Sequence, residues 1–111
     1  MPDLPPSFRI DEHPRPDGAT VLAVSGELDL STCPQLGDAL ARHSAERQAV
    51  VLDLTGLEFM DSTGLNLLVG ATRDARRDGW SFALDPNLSG EVARLFDVTG
   101  MRDHLPFDAA E

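Results

Sequence analysis

The sequence predicts a single α/β domain. Short apolar runs suited to strands alternate with amphipathic stretches at helical spacing, in the order β-β-α-β-α-β-α. Such alternation implies a parallel or mixed sheet with crossover helices. The chain has 111 residues, and domains cluster near ~100–150 residues, so one domain is expected. Hydrophobic residues make up 41% and charged residues 25%; both suit a globular core, which argues against a disordered chain.

Each element has its own signal. Residues 1–7 include three prolines and read as a loose tail ahead of one domain over 8–111. Phe8-Arg9-Ile10 alternates and begins a strand, and His13 to Gly18 reads as a turn punctuated by two prolines and Asp-Gly. Thr20 to Val24 is β-branched and aliphatic, a strand that Ser25-Gly26 ends. Ser31-Thr32-Cys33-Pro34 opens a helix with a hydroxyl cap and an early proline. Leu36, Ala39, Leu40 and His43 form its inner face. Val50-Val51-Leu52 suits a central strand covered on both faces. Asp61-Ser62-Thr63-Gly64 opens a second helix, with Leu65, Leu68, Val69, Thr72 and Ala75 on one stripe and Gly79 as its stop. Trp80, Phe82 and Leu84 alternate as a strand, and Asp85-Pro86-Asn87 turns the chain. Glu91 to Val98 is helical, with Gly100 at its end, and His104 to Phe107 is a candidate last strand.

Charge narrows the partners. There are 19 acidic and 9 basic residues, all the basic ones arginine, for a net charge of −10. Such a domain is repelled by nucleic-acid phosphates and anionic membranes. It favours a protein partner with a basic face. The apolar stretch Ala49 to Leu54 is broken by Asp53, so no membrane span is expected. The N-terminus lacks a basic region followed by an apolar run, so no secretory signal is expected. A lone Cys33 permits no internal disulfide and fits a cytoplasmic location.

Enzymatic chemistry finds no support. His13, His43 and His104 are scattered with no metal-type spacing, and no phosphate-loop, dinucleotide or nucleophile-elbow motif occurs. Lysine-dependent chemistry is excluded by composition. Cys33 stands at a helix N-terminus, where a thiol pKa can fall; its simpler reading is a small half-buried residue beside Pro34. No cofactor and no metal are expected.

The informative segment is Phe59 to Leu65. Its plain reading is an N-cap, with Asp61 or Ser62 bonding the first-turn amides. Capping and function do not compete. A hydroxyl at a helix N-terminus stands where free N–H groups and the dipole tolerate a phosphate. A phosphate on Ser62 adds about −1.5 to −2 charge without demanding unfolding. The second segment, Gly26-Glu27-Leu28-Asp29-Leu30, is either a solvated acidic loop or a neighbour of the first. Loops at the carboxyl ends of strands gather on one edge of an α/β sheet. Asp29 and Asp61 are then expected near Ser62, able to orient its hydroxyl or to help hold a metal–nucleotide complex that a partner brings.

These residues resemble a family. GELDLST, VVLDLTGLEFMDSTGLNLLVGA and EVARLFDVTGM are similar to the STAS domain of bacterial anti-sigma factor antagonists, from about Phe8 to Phe107. The resemblance implies a four- to five-stranded mixed sheet with three to four helices mainly on one face. It implies partner switching. The unphosphorylated antagonist binds an anti-sigma factor that is also a serine kinase with a histidine-kinase-like ATPase fold, which frees the sigma factor. Phosphorylation abolishes the complex, and a serine/threonine phosphatase resets it. By the D-S-[ST]-G motif the acceptor is Ser62, with Thr63 the adjacent hydroxyl, Gly64 the motif glycine, Asp61 its carboxylate and Asp29 the acidic residue of the G-E-L-D loop. Leu57, Phe59, Met60, Leu65 and Asn66 are expected at the partner surface, with at least one of the first three in the core. Asn66 departs from the glycine found there in many members, and many members carry a further C-terminal helix. Two other functions compete. One is a non-switching STAS module of a stress-signalling scaffold or transport complex, with the motif only a cap. The other is a small-molecule or nucleotide site at the helix N-terminus. It is weakened because the nearest basic residue to Ser62 along this helix, Arg73, lies about three turns away.

Overall fold

The computed structural model describes residues 8–108. The expected tail over 1–7 and the last three positions of the expected domain lie outside them. The elements are β1 (Phe8–Pro14), β2 (Thr20–Leu28), α1 (Cys33–Ala45), β3 (Val50–Met60), α2 (Ser62–Asp78), β4 (Phe82–Leu88) and α3 (Gly90–Thr99), with a short 3-10 turn at Arg102–His104. The strands lie in the order β1-β2-β3-β4. β1 runs antiparallel to β2, and β2, β3 and β4 are mutually parallel.

One buried cluster joins the sheet to the three helices. Leu22, Val24, Val50, Leu52, Leu54, Phe82 and Leu84 alternate along their strands and point into it. Leu36 and Leu40 of α1, Leu65 and Leu68 of α2, and Val92 and Phe96 of α3 close it. Each such side chain contributes roughly 1.5–3 kcal/mol by leaving water. The expected α1 face is buried as read, His43 included. On α2, Val69 is only half-buried and Ala71 takes its place, because the core lies one residue further round the helix. The central strand is buried on both faces over Val50–Leu52, as expected: Val51 is 5% exposed although it lies outside the cluster.

Several boundaries differ from the sequence reading, and at the ends of β1, β2 and β4 sheet pairing overrides a local turn signal. β1 continues through His13 and Pro14, which pairs with Thr20. Proline is tolerated there because β1 is an edge strand. β2 continues past Gly26, whose φ of 99° absorbs a register shift, to Leu28. β4 continues to Leu88: Asp85-Pro86-Asn87 turns locally, with Asn87 N donating to Asp85 Oδ1 at 2.9 Å, and Leu88 then rejoins opposite Leu54. The candidate last strand shrinks to one parallel bridge between Leu84 and Phe107. Pro106 brings a carbonyl but no N–H, so the ladder does not lengthen. The helix stops fall as read, at Gly79 and Gly100.

The end of β3 sets up the site. Two steps on β2, Ala23 to Ser25, face three on β3, Asp53 to Gly56. One step, Gly26 to Glu27, then faces two, Leu57 to Phe59. β3 therefore carries two bulged residues, and each reverses which side chains point inward. Unbroken alternation from Val50 would send Gly56, Glu58 and Met60 inward. The bulges instead put Leu57 and Met60 in the core, at 1% and 5% exposure, and leave Phe59 45% exposed. Leu57→Ala is expected to cost about 2–5 kcal/mol in chemical denaturation. Phe59→Ala, made in the same background, is expected to stay within about 1 kcal/mol. Equal losses would mean that the bulges are misplaced.

Candidate functional site

The loops after β2 and β3 meet at one edge of the sheet. Leu28 pairs with Met60, and Asp61 N donates to Leu28 O at 3.2 Å. The segment after Leu28 is knitted to itself. Asp29 Oδ1 accepts from Ser31 N at 3.0 Å, Ser31 Oγ at 2.8 Å and Thr32 N at 3.2 Å. Thr32 Oγ1 donates to Glu27 O and accepts from Asp29 N. The hydroxyl cap expected for α1 is therefore absent, because Thr32 spends its side chain on the loop. The Ser31 hydroxyl, ahead of the backbone amides, holds the Asp29 carboxyl below its ordinary range.

Asp61 caps α2. Its backbone is extended, its Oδ1 accepts from Gly64 N at 3.0 Å, and its carbonyl accepts from Leu65 N at 3.1 Å. The choice between Asp61 and Ser62 as cap thus falls on Asp61. Ser62 is the first helical residue, and its side chain is exposed. Among the described residues its hydroxyl has no hydrogen-bond partner. Neither Asp29 nor Asp61 bonds to it, so the expected orienting role of these carboxylates is not realised in this geometry. Both do act on the buried Cys33 thiol. Burial first, then the charges of Asp61 and Asp29, push that thiol above its ordinary range. This reverses the lowering a helix N-terminus alone would give.

Gly64 is where α2 rests on the sheet. A Cβ there would stand 2.9 Å from both Leu28 Cγ and Met60 Cγ, and 3.0 Å from Leu28 Cδ2. Thr63 is half-buried beside it. Of the five residues expected at a partner surface, Leu57, Met60 and Leu65 are core side chains and are corrected to that role. Phe59 and Asn66 are exposed. Sequence reading missed the other apolar contributors. Phe59 and Met60 line a shallow cleft of about 260 Å³ with Glu91, Arg94, Leu95 and Val98 of α3. Val98 is 77% exposed, and its position off the Val92–Phe96 stripe was the available signal. Leu30, in the acidic loop, is 75% exposed.

Comparison with known proteins assigns the family. A family model described as Mlab, STAS domain, matches residues 13–106. An anti-sigma-B factor antagonist of Bacillus subtilis (strain 168) is 34% identical over 86 residues, covering 78% of this chain and 78% of the relative. An anti-sigma-B factor antagonist of Listeria monocytogenes is 38% identical over 89 residues, covering 79% and 77%. The crystal structure of an anti-sigma factor antagonist from Mycobacterium paratuberculosis is similar at a TM-score of 0.73 and 28% identity, over 93% of this chain and 85% of that one. The chain belongs to the STAS-domain family of anti-sigma factor antagonists. Among the described residues no helix is long and apolar enough to cross a membrane.

The geometry separates the roles within the D-S-T-G string. Asp61→Ala is expected to destabilise the fold by about 1 kcal/mol through the lost cap. Ser62→Ala is expected to stay within about 0.5 kcal/mol. Gly64→Ala is expected to cost about 1–3 kcal/mol by overpacking. Thermal or urea unfolding of the three variants measures all of these, and a Ser62→Ala loss matching Asp61→Ala would reassign the cap. Iodoacetamide at neutral pH should modify Cys33 at least about tenfold more slowly in the native chain than in urea, since its thiol is buried and kept protonated.

Proposed function

We propose that this chain is a phosphorylation-switched binding protein whose unphosphorylated form engages an anti-sigma factor and frees a sigma factor. The observation that carries this reading is the division of labour at the start of α2. Asp61 makes the cap bond, so Ser62 is left exposed and without a structural task. A cap-only role for the motif, as in a constitutive STAS module, accounts for Asp61 but leaves Ser62 unexplained. The names of the relatives, anti-sigma-B factor antagonists, agree with the proposed partner.

The chemistry follows from the position. The partner is proposed to be a serine kinase with a histidine-kinase-like ATPase fold, which supplies ATP and acts in the cytoplasm. Ser62 Oγ attacks the γ-phosphorus, its proton passes to a base on the kinase, and the bond from that phosphorus to the bridging oxygen breaks, releasing ADP. The product phosphate sits at the helix N-terminus, where unpaired N–H groups and the dipole favour negative charge, so the fold accepts it. The complex does not. A charge of −1.5 to −2 placed inside a fitted interface must be desolvated there. Such changes typically cost about 2–5 kcal/mol, which is roughly 30- to several-thousand-fold in affinity. A serine/threonine phosphatase then restores the hydroxyl. Exposed Phe59 and Asn66, flanking Ser62 in sequence, are the side chains proposed to contact the partner.

Affinity capture from the native cell tests the reading, with wild-type, Ser62→Asp and Ser62→Ala chains as baits and mass spectrometry of what they hold. Wild type and Ser62→Ala should retain a histidine-kinase-like ATPase that Ser62→Asp loses, while Ser62→Asp stays as stable as wild type. Incubation of that ATPase with ATP should phosphorylate wild type and leave Ser62→Ala unmodified. Identical captures by all three baits would make the chain a constitutive STAS module.

A further inference from the structure

The nine arginines are not equivalent. Arg9, Arg15, Arg42, Arg77 and Arg102 pair with carboxylates, and Arg47 donates to the Asp78 carbonyl. Among the described residues Arg73, Arg76 and Arg94 have no such partner. Two of these three converge. Arg73 and Arg76, one turn apart on α2, edge a hollow of about 400 Å³, and His104 stands on its other side. Val69, Thr72 and Met101 complete the lining. The Thr72 hydroxyl is already committed to Leu68 O at 2.9 Å, and Val69 and Met101 are half-buried. The hollow is therefore a cationic rim around an apolar floor.

This is unusual in a chain of net charge −10. Carboxylates are plentiful, yet none neutralises this pair. Like charges one turn apart repel, and Asp74 between them is paired with Arg77. An external carboxylate can supply the complementary charge. A small anion is a poor occupant, because exposed guanidinium groups hold isolated charges weakly against solvent and salt. A nucleic acid backbone reaches the rim but carries no aliphatic side chain to cover Val69 and Met101. An acidic protein segment meets both demands: its carboxylates reach the rim, and an apolar side chain between them covers Val69 and Met101.

We propose that the Arg73–Arg76–His104 hollow is a docking surface for an acidic segment of a partner protein, with carboxylates flanking an apolar residue. It is distinct from the Ser62 site. Arg73 lies eleven residues beyond Ser62 on α2, about 16 Å along the helix axis. The inference stands whether or not Ser62 is a switch.

The test titrates the isotope-labelled full chain by NMR with a synthetic peptide of about a dozen residues repeating Glu-Glu-Leu. The expected result is saturable shifts centred on the amides of Val69, Arg73, Arg76, Met101 and His104. The Arg73→Ala/Arg76→Ala double variant should bind about tenfold more weakly. Arg94→Ala, which removes an equally unpaired arginine outside the hollow, and Ser62→Asp should both bind as wild type does. A Lys-Lys-Leu repeat should give no shifts at these five amides, whatever it does on the acidic remainder of the surface. The proposal is overturned if the Glu-Glu-Leu peptide produces no saturable shifts or shifts centred elsewhere. It is also overturned if Arg94→Ala matches the double variant, or if sodium phosphate or oligothymidylate shifts the same amides at the same concentration.

Discussion

The first turn of α2 rests directly on the ends of β2 and β3, and that contact organises the site edge of the molecule. It exists because Gly64 has no side chain, so the helix backbone comes within 2.9–3.0 Å, measured from an imagined Cβ, of Leu28 and Met60. With the helix held this close, Asp61 bridges strand to helix through its backbone and its cap. Ser62 then falls on the outside. The exposure of the hydroxyl is thus a consequence of packing two residues further along.

The bulges in β3 serve the same end. A strand of eleven residues has to deliver apolar side chains to the core and still finish beside Leu28. Each extra residue shifts the alternation by one, so Leu57 and Met60 sink and Phe59 rises. The result is an exposed aromatic three residues before an exposed hydroxyl. Under the proposed function, the ring would add area to the complex and a phosphate on the serine would add the charge that breaks it.

Electrostatics divide the surface. Asp29 and Asp61 are both occupied with backbone amides, so their carboxylates shape loops and leave the hydroxyl free. Their charges also reach the buried Cys33 thiol and add to the upward push that burial gives it. At the other end of α2 the sign reverses at Arg73 and Arg76. The carboxylates at the start of α2 and the arginines Arg73 and Arg76 are therefore about 16 Å apart on one helix.

Much of this was legible beforehand, and the limits have a physical pattern. Helix faces, glycine stops and the strand–helix alternation depend on residues within about four positions of one another, and they were read correctly for α1, α3 and most of α2. The D-S-T-G string announced a helix start for the same reason. Strand ends at Pro14, Gly26 and Asp85 were misread because a neighbouring strand can hold a segment extended through a local turn signal. The placement of Leu57, Phe59 and Met60 depended on two register shifts against β2, to which no local period is sensitive. The meeting of Arg73 and Arg76 with His104 joins residues about thirty positions apart through the return of the chain after α3. Sequence by itself determined which elements form and that a serine opens α2. Tertiary structure decided which side chains around it face solvent, because burial is a property of what packs opposite and only the assembled sheet supplies that.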